Sequence, residues 1–267
     1  MSDRVQCTID AGVADVRLNR PDKLNALDAE MFVALAETGE ALATAPGLRA
    51  VVLSGEGRAF CAGLDMSAFG AMAEGRNWRP ADSVEGAAGE PSRGQRAVLA
   101  FHRLPVPVIA AVRGHALGGG LQLALGADVR IAAPDAVFSV LEVHWGLAPD
   151  MVGTQLLPRL VGPDVAAELT FTGRRIDAAE AHRIGLVTRI ADDPLAAAHE
   201  LAATIAARSP DAVRVAKELL AISAFEDGLA AERAGLKALM GSPNQREAAA
   251  AGIARRTPQF TDPQEQP

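Results

Sequence analysis

The chain of 267 residues carries 26 Lys and Arg against 33 Asp and Glu, a net charge of −7, with 49% hydrophobic and 22% charged residues. This is the balance of a soluble globular protein, and its acidic sum argues against nucleic acid as a main partner, because phosphate binding needs a basic face. The length suits one large domain or two small ones, and the two cysteines, Cys7 and Cys61, have neither metal-ligand spacing nor the count of a disulfide framework, which makes a reducing cytoplasm the default.

The N-terminal "MSDRVQCTIDAG" lacks the charged-then-apolar pattern of a secretion signal, and no apolar run reaches the roughly 18 residues of a membrane span. "VADVRLNR" alternates apolar and polar residues as a strand does. "LDAEMFVALAETGEALATAPG" has helical spacing, with Asp28 as N-cap and Gly47 past the end. "LRAVVLSG", "PVPVIAAVRG", "ADVRIAA" and "AVFSV" read as further short strands. Strands alternating with helices predict an α/β layout around a buried sheet. Beyond Pro149 the periodicity is helical, interrupted by the strand "LVTRI", so residues 1–195 read as the core and 196–267 as a helical part that packs on the core and on neighbouring subunits. Between Leu64 and Arg96 the period is lost, as in a lid or a surface insertion, and Met66, Phe69, Met72 and Trp78 in that stretch suit an apolar tunnel. A loop of this kind is expected to be mobile until ligand binds.

Two glycine turns follow strand ends: "RAFCAGLDM" after "AVVLSG", and "GHALGGGLQL" after "VIAAV". Glycine lets a backbone approach a ligand closely, and the start of a helix presents free N–H groups. Two such turns brought together supply two donors to one oxygen, an oxyanion hole. Close helix packing is the competing reason for Gly118–Gly120. The spacings of a dinucleotide fingerprint, a Walker loop and a nucleophile elbow are all absent.

"NRPDKLNAL", "AFCAGLDM", "GHALGGGLQLALGAD", "FSVLEVHWGLAPDMVGTQLLPRLVG" and "FTGRRIDAAEAHRIGLVTRI", in this order from about Val13 to Ile190, together resemble the crotonase superfamily, the enoyl-CoA hydratases and isomerases. The resemblance implies a spiral of repeated ββα units and an acyl-CoA substrate whose thioester oxygen accepts two backbone N–H groups. By motif position these donors are Ala62 and Gly119. The resemblance also implies contacts to CoA from Lys23, Ala26, Leu64, Asp65 and Arg255, with Arg20 and Arg256 nearby, and a homotrimer or a dimer of trimers. A solvated surface role competes for each cation.

Family hydratases set two glutamates around a water. The second is present as Glu142, but the first position holds Gln122. An amide positions water or substrate yet cannot take a proton at neutral pH. Asp150, eight residues past Glu142, gives "EVHWGLAPDMVGT" a resemblance to the dienoyl-CoA isomerase branch, in which both positions are acids. Capping of the following helix is the other reading of Asp150. His144, beside the acid, reads more readily as structural.

The expectation is an isomerase that shifts a double bond of an enoyl- or dienoyl-CoA. Glu142 and Asp150 move the proton, and Ala62 and Gly119 hold the thioester oxygen. No metal and no cofactor is expected beyond the coenzyme A of the substrate, and neither a membrane nor a nucleic acid as partner. An enoyl-CoA hydratase of fatty-acid β-oxidation and a non-catalytic acyl-CoA-binding homologue are the alternatives.

Overall fold

The computed structural model describes residues 3–75, 90–222 and 225–262. It opens on an antiparallel hairpin, β1 (Val5–Asp10) and β2 (Val13–Leu18). Ala11 and Gly12 at its tip have φ of 47° and 80°, as a two-residue primed turn requires. The chain then adds α1 (Ala29–Ala43), β3 (Ala50–Gly55), α2 (Met66–Ala73), α3 (Arg93–His102) and β4 (Val108–Val112). Next come β5 (His115–Leu117), α4 (Gly119–Leu125), β6 (Val129–Ala132) and β7 (Val137–Ser139), then α5 (Gly153–Val161) and α6 (Pro163–Thr172). The rest is β8 (Ile176–Asp177), α7 (Ala178–Arg183), β9 (Arg189–Ile190), α8 (Pro194–Ala206), α9 (Pro210–Ala221), α10 (Phe225–Leu239) and α11 (Pro243–Ala254).

The main sheet has the order β1-β2-β3-β4-β6-β9 and is parallel from β2 onward. A smaller sheet, β5-β7-β8, lies beside it, and Cys61 joins β5 through a bridge to Ala116. Each of β3, β4 and β6 thus passes into a short extended piece of the second layer: Cys61, β5 and β7. The chain advances one strand per turn as a spiral of ββα units, the α/β architecture that the sequence resemblance implies.

Period-2 alternation sorts the strand side chains between two cores. Val51 and Leu53 of β3 and Val108, Ala110 and Val112 of β4 face the large core shared with α1 and α3. Ala50, Val52, Ile109, Ala111 and Ile131 face the opposite way, onto Ala198 and Ala202 of α8. The boundary drawn at residue 195 falls in the first turn of α8, whose buried side is packed on the sheet. Beyond α8, the helices α10 and α11 pack on α9.

The stretch read as aperiodic contains two helices. α2 is hidden because its buried residues are the small Ala68 and Ala71 while the larger Met66, Phe69 and Met72 are exposed or half-buried, so "MSAFGAMA" shows no apolar stripe. α3 starts at a capping box, with Ser92 accepting from Gln95 N–H and the Gln95 side chain accepting from Ser92 N–H. Trp78 and the expected mobility of residues 76–89 lie outside the described residues. Among the described residues, no helix is long and apolar enough to cross a membrane.

Candidate active site

The two glycine turns meet. Leu27 pairs with Leu64 in a parallel bridge: Leu27 N–H donates to Gly63 O at 2.8 Å, and Asp65 N–H donates to Leu27 O at 3.0 Å. With both partners of Leu27 taken from its neighbours, the N–H of Leu64 itself points away from Leu27. That is the side of β5 and of the first residue of α4. A Cβ on Gly63 would lie 2.7 Å from Leu117 O and 3.8 Å from Gly119 N. Neither the Leu64 N–H nor the Gly119 N–H donates to a backbone acceptor among the described residues. Ala62, the donor expected from motif position, is engaged elsewhere, because its N–H donates to Leu24 O at 2.9 Å. The pairing of Leu64 with Leu27 moves the open donor two residues along the turn.

The three glycines of the triplet have three separate reasons. Gly118 has a left-handed φ of 52°, and a Cβ there would stand 3.4 Å from Glu142 Oε1. A Cβ on Gly119 would meet Leu27 Cδ1 and Met151 Sδ, each at 2.9 Å. Gly120 packs on the backbone of Cys61, whose thiol burial pushes up to about 12, so it stays protonated. Close packing therefore accounts for Gly120, while Gly118 and Gly119 border the acid and the open amides.

Glu142 begins a 3-10 turn, Glu142–Trp145, after β7, and is 9% exposed. Gln122 Nε2 donates to its Oε1 at 2.6 Å. The Gln122 Oε1 in turn accepts from Met151 N–H at 2.9 Å and from Gly153 N–H at 3.0 Å. Backbone amides only donate, so they fix which end of the Gln122 amide faces Glu142. The turn that supplies them holds Val152 at φ 70°, a left-handed conformation that costs a β-branched residue about 1–3 kcal/mol. Glu142 Oε2 is buried, with no hydrogen-bond partner among the described residues. Burial raises the Glu142 carboxyl above its ordinary value; the hydrogen bond from Gln122 works against this, and the charge of Asp150 adds to it.

Asp150 is exposed, and its charge reaches Glu142. It does not cap the following helix: α5 begins at Gly153, its N-cap is Val152, and no side chain caps it. His144 is exposed at the same turn.

The residues expected to meet CoA divide. Lys23 is exposed at the end of the 3-10 turn Pro21–Lys23, next to Leu24 and Asn25, with φ of 50° and 56°. Ala26 is buried and both of its main-chain groups are used: its N–H donates to Lys23 O at 3.0 Å, and its carbonyl accepts from Arg20 Nη1 at 2.7 Å. Asp65 accepts from Arg20 Nη1 at 2.8 Å and caps α2 through Ser67 N–H. Burial alone would raise the Asp65 carboxyl, but the hydrogen bonds from Ser67 and Arg20 hold it below its ordinary value. Arg255 is the exposed left-handed residue that closes α11, and no described contact joins it to Lys23 or to the glycine turns.

Arg20, read from the sequence as a cation near the CoA contacts, has a structural part here, and Asn25 escaped a functional reading altogether. Arg20 reaches Ala26, Asp65 and Asp28. Asn25, fully buried, accepts from Arg20 N–H and donates to Glu56 O and Ala59 O. The clue for Asn25 was its type, since Asn tolerates the left-handed region. Among the described residues, no group of three or more His, Cys, Asp or Glu side chains could hold a metal ion.

The family model for enoyl-CoA hydratase/isomerase matches residues 8–264. The chain belongs to the enoyl-CoA hydratase/isomerase family. A family member from Mycobacterium bovis, "Probable enoyl-CoA hydratase echA8", is 37% identical over 257 residues, covering 94% of this chain and 95% of that protein. Among solved members of the family, an enoyl-CoA hydratase from Bacillus anthracis has a TM-score of 0.86 at 32% identity, covering 96% of this chain and 98% of the other. One from Polaromonas sp. JS666 has a TM-score of 0.85 at 32% identity, covering 96% and 99%.

Proposed function

We propose that this family member is an acyl-CoA isomerase, which shifts a double bond by proton transfer beside a thioester. The observation that carries this reading is the Gln122 amide. Both of its ends are committed, one to the Met151 and Gly153 amides and the other to Glu142. It therefore offers no second acid–base group where the family's hydratases hold one. Adding water across a double bond calls on paired acid–base function, and each such group contributes about 10²–10⁴ in rate.

The thioester oxygen takes the N–H groups of Leu64 and Gly119. As the enolate forms, charge builds on this oxygen, so the two donors bind the transition state better than the ground state. Glu142 Oε2, buried and unshared, takes the proton from the carbon beside the thioester. A raised pKa suits a carboxyl that must hold a proton for part of the cycle. Asp150, exposed and protonated from water, returns a proton further along the acyl chain, and Glu142 then gives up its own to water. One C–H bond breaks and one forms, the double bond moves between them, and no oxidant or metal is needed. The spacing of the two acids supports a place in the dienoyl-CoA isomerase branch. Lys23 faces the CoA phosphates. Leu220, Leu236 and Ile253 on the C-terminal helices and Met240 just past α10, each 62% or more exposed, are covered by neighbouring subunits in a homotrimer or a dimer of trimers.

The names of the relatives favour a second reading, an enoyl-CoA hydratase. Incubation of the purified protein with 2-enoyl-, 3-enoyl- and dienoyl-CoA esters separates the two. Isomer formation without hydration is expected; fast hydration of a 2-enoyl-CoA would sink the isomerase reading. Binding with no turnover of any ester would leave a non-catalytic acyl-CoA-binding protein.

A further inference from the structure

Phe69 and Trp145 stack with ring centroids 4.0 Å apart and planes at 22°. They come from two different segments of the chain. Phe69 lies in α2, which starts directly after the Leu64 amide and the Asp65 cap. Trp145 ends the 3-10 turn that Glu142 begins. The stack therefore ties the segment that carries a thioester donor to the segment that carries the acid. Neither ring belongs to a core: Phe69 is half-buried and Trp145 is 44% exposed. A half-exposed ring pair buries less area than a core pair, and this one lies between the segment of the Leu64 amide and that of Glu142.

Met151 fills the space on the α4 side. It is 4% exposed, and a Cβ on Gly119 or Gly94 would meet its Sδ at 2.9 Å or its Cγ at 2.7 Å. Met151 is thus packed on Gly119, while Met66, which starts α2, and Leu147, two residues past Trp145, are both exposed.

We infer that the Phe69–Trp145 stack determines acyl-chain length, closing the gap between α2 and the Glu142 turn so that the site takes short acyl thioesters. The inference rests on the acyl-CoA reading above. It follows from shape: a filled apolar slot discriminates by about 10–200-fold per methylene it cannot house, and removing a large aromatic side chain opens room for several.

The test uses saturated four-, eight- and twelve-carbon acyl-CoA esters as binding probes, so that no turnover is needed. Affinities are measured by calorimetry for the wild type, Trp145→Ala, Trp145→Phe and Phe69→Ala. Trp145→Ala and Phe69→Ala should each raise the twelve-carbon to four-carbon affinity ratio by about tenfold or more, and Trp145→Phe should leave it near that of the wild type. A ratio unchanged in both truncations overturns the inference and leaves the acyl-CoA reading standing. Failure of the wild type to bind any of the esters overturns both. The two truncations lie on different elements, so a folding defect in one leaves the other to decide.

Discussion

Gln122 stands between Glu142 and the strained turn at Val152, donating its amide N–H to the acid at 2.6 Å and accepting at its oxygen from the N–H groups on either side of Val152. One side chain thus orients the buried carboxyl and satisfies two buried donors.

Two substitutions separate these duties. Gln122→Met keeps the bulk and abandons the Met151 and Gly153 amides, each at a cost of about 1–3 kcal/mol. The midpoint of urea unfolding should fall accordingly. Gln122→Glu keeps an oxygen for the two amides and sets a second carboxyl beside Glu142. Two adjacent carboxyls raise the pKa of one of the pair, so one can hold a proton while the other accepts one, as the acid–base pair of hydration requires. Hydration of a 2-enoyl-CoA should rise by about 10²-fold or more. No gain would mean that Asp150 or the slot itself excludes the water.

Glu142 gives the pH dependence its sign. Its folded pKa is raised, chiefly by burial, so the ionised base forms only above the ordinary carboxylate range. The acid limb of kcat/KM for isomerisation should have its midpoint there. Stability runs the other way. Below the unfolded pKa the group is protonated in both states and exacts nothing; as pH rises through the folded pKa, the buried charge destabilises the fold. The ligand-free protein should lose melting temperature across that window, and Glu142→Gln should flatten the loss while abolishing proton transfer. A Tm profile identical in the two proteins would contradict the assignment.

Asp150→Asn tests the second acid. Since Val152 holds the N-cap position of α5, the change touches no cap. Turnover should fall by about 10²-fold or more, with acyl-CoA affinity and Tm nearly unchanged. Loss of the Asp150 charge, which raises the Glu142 carboxyl, should also move the acid limb of the residual activity to lower pH. Full activity in Asp150→Asn would remove this residue from the mechanism.

Arg20→Gln probes the frame under the thioester donor. Arg20 and Asp65 are 13% and 15% exposed in their side chains, and their contact at 2.8 Å joins segments 45 residues apart. Its loss should cost about 1.5–3 kcal/mol of stability and raise KM for the CoA ester more than it lowers kcat. A KM equal to that of the wild type would show that the frame holds without it.

Periodicity made the main strands and the Asp28 cap of α1 legible, because both are local: alternation over a few residues, and a side chain that accepts from Met31 N–H three positions on. The motifs placed the glycine turns side by side and marked Gln122 as the departure. What stayed hidden was set by distant pairing. Whether Ala62 or Leu64 offers the open amide depends on Leu24 and Leu27, which sit in a different loop. Asp150 fits the sequence signature of a cap, but the left-handed Val152 starts the helix two residues later. The buried tie between Arg20 and Asp65 leaves no trace in either local pattern.

The amides of Leu64 and Gly119 belong to the main chain, so no exchange of side chains other than to proline deletes them. Glu142, Gln122 and Asp150 have no such protection: one nucleotide separates a glutamate codon from a glutamine codon. On the acyl-CoA reading, heritable change can fall on the two acids and on the amide beside them and leave the backbone donors in place. One inherited cradle can thus be refitted from one proton-transfer reaction to another without being rebuilt.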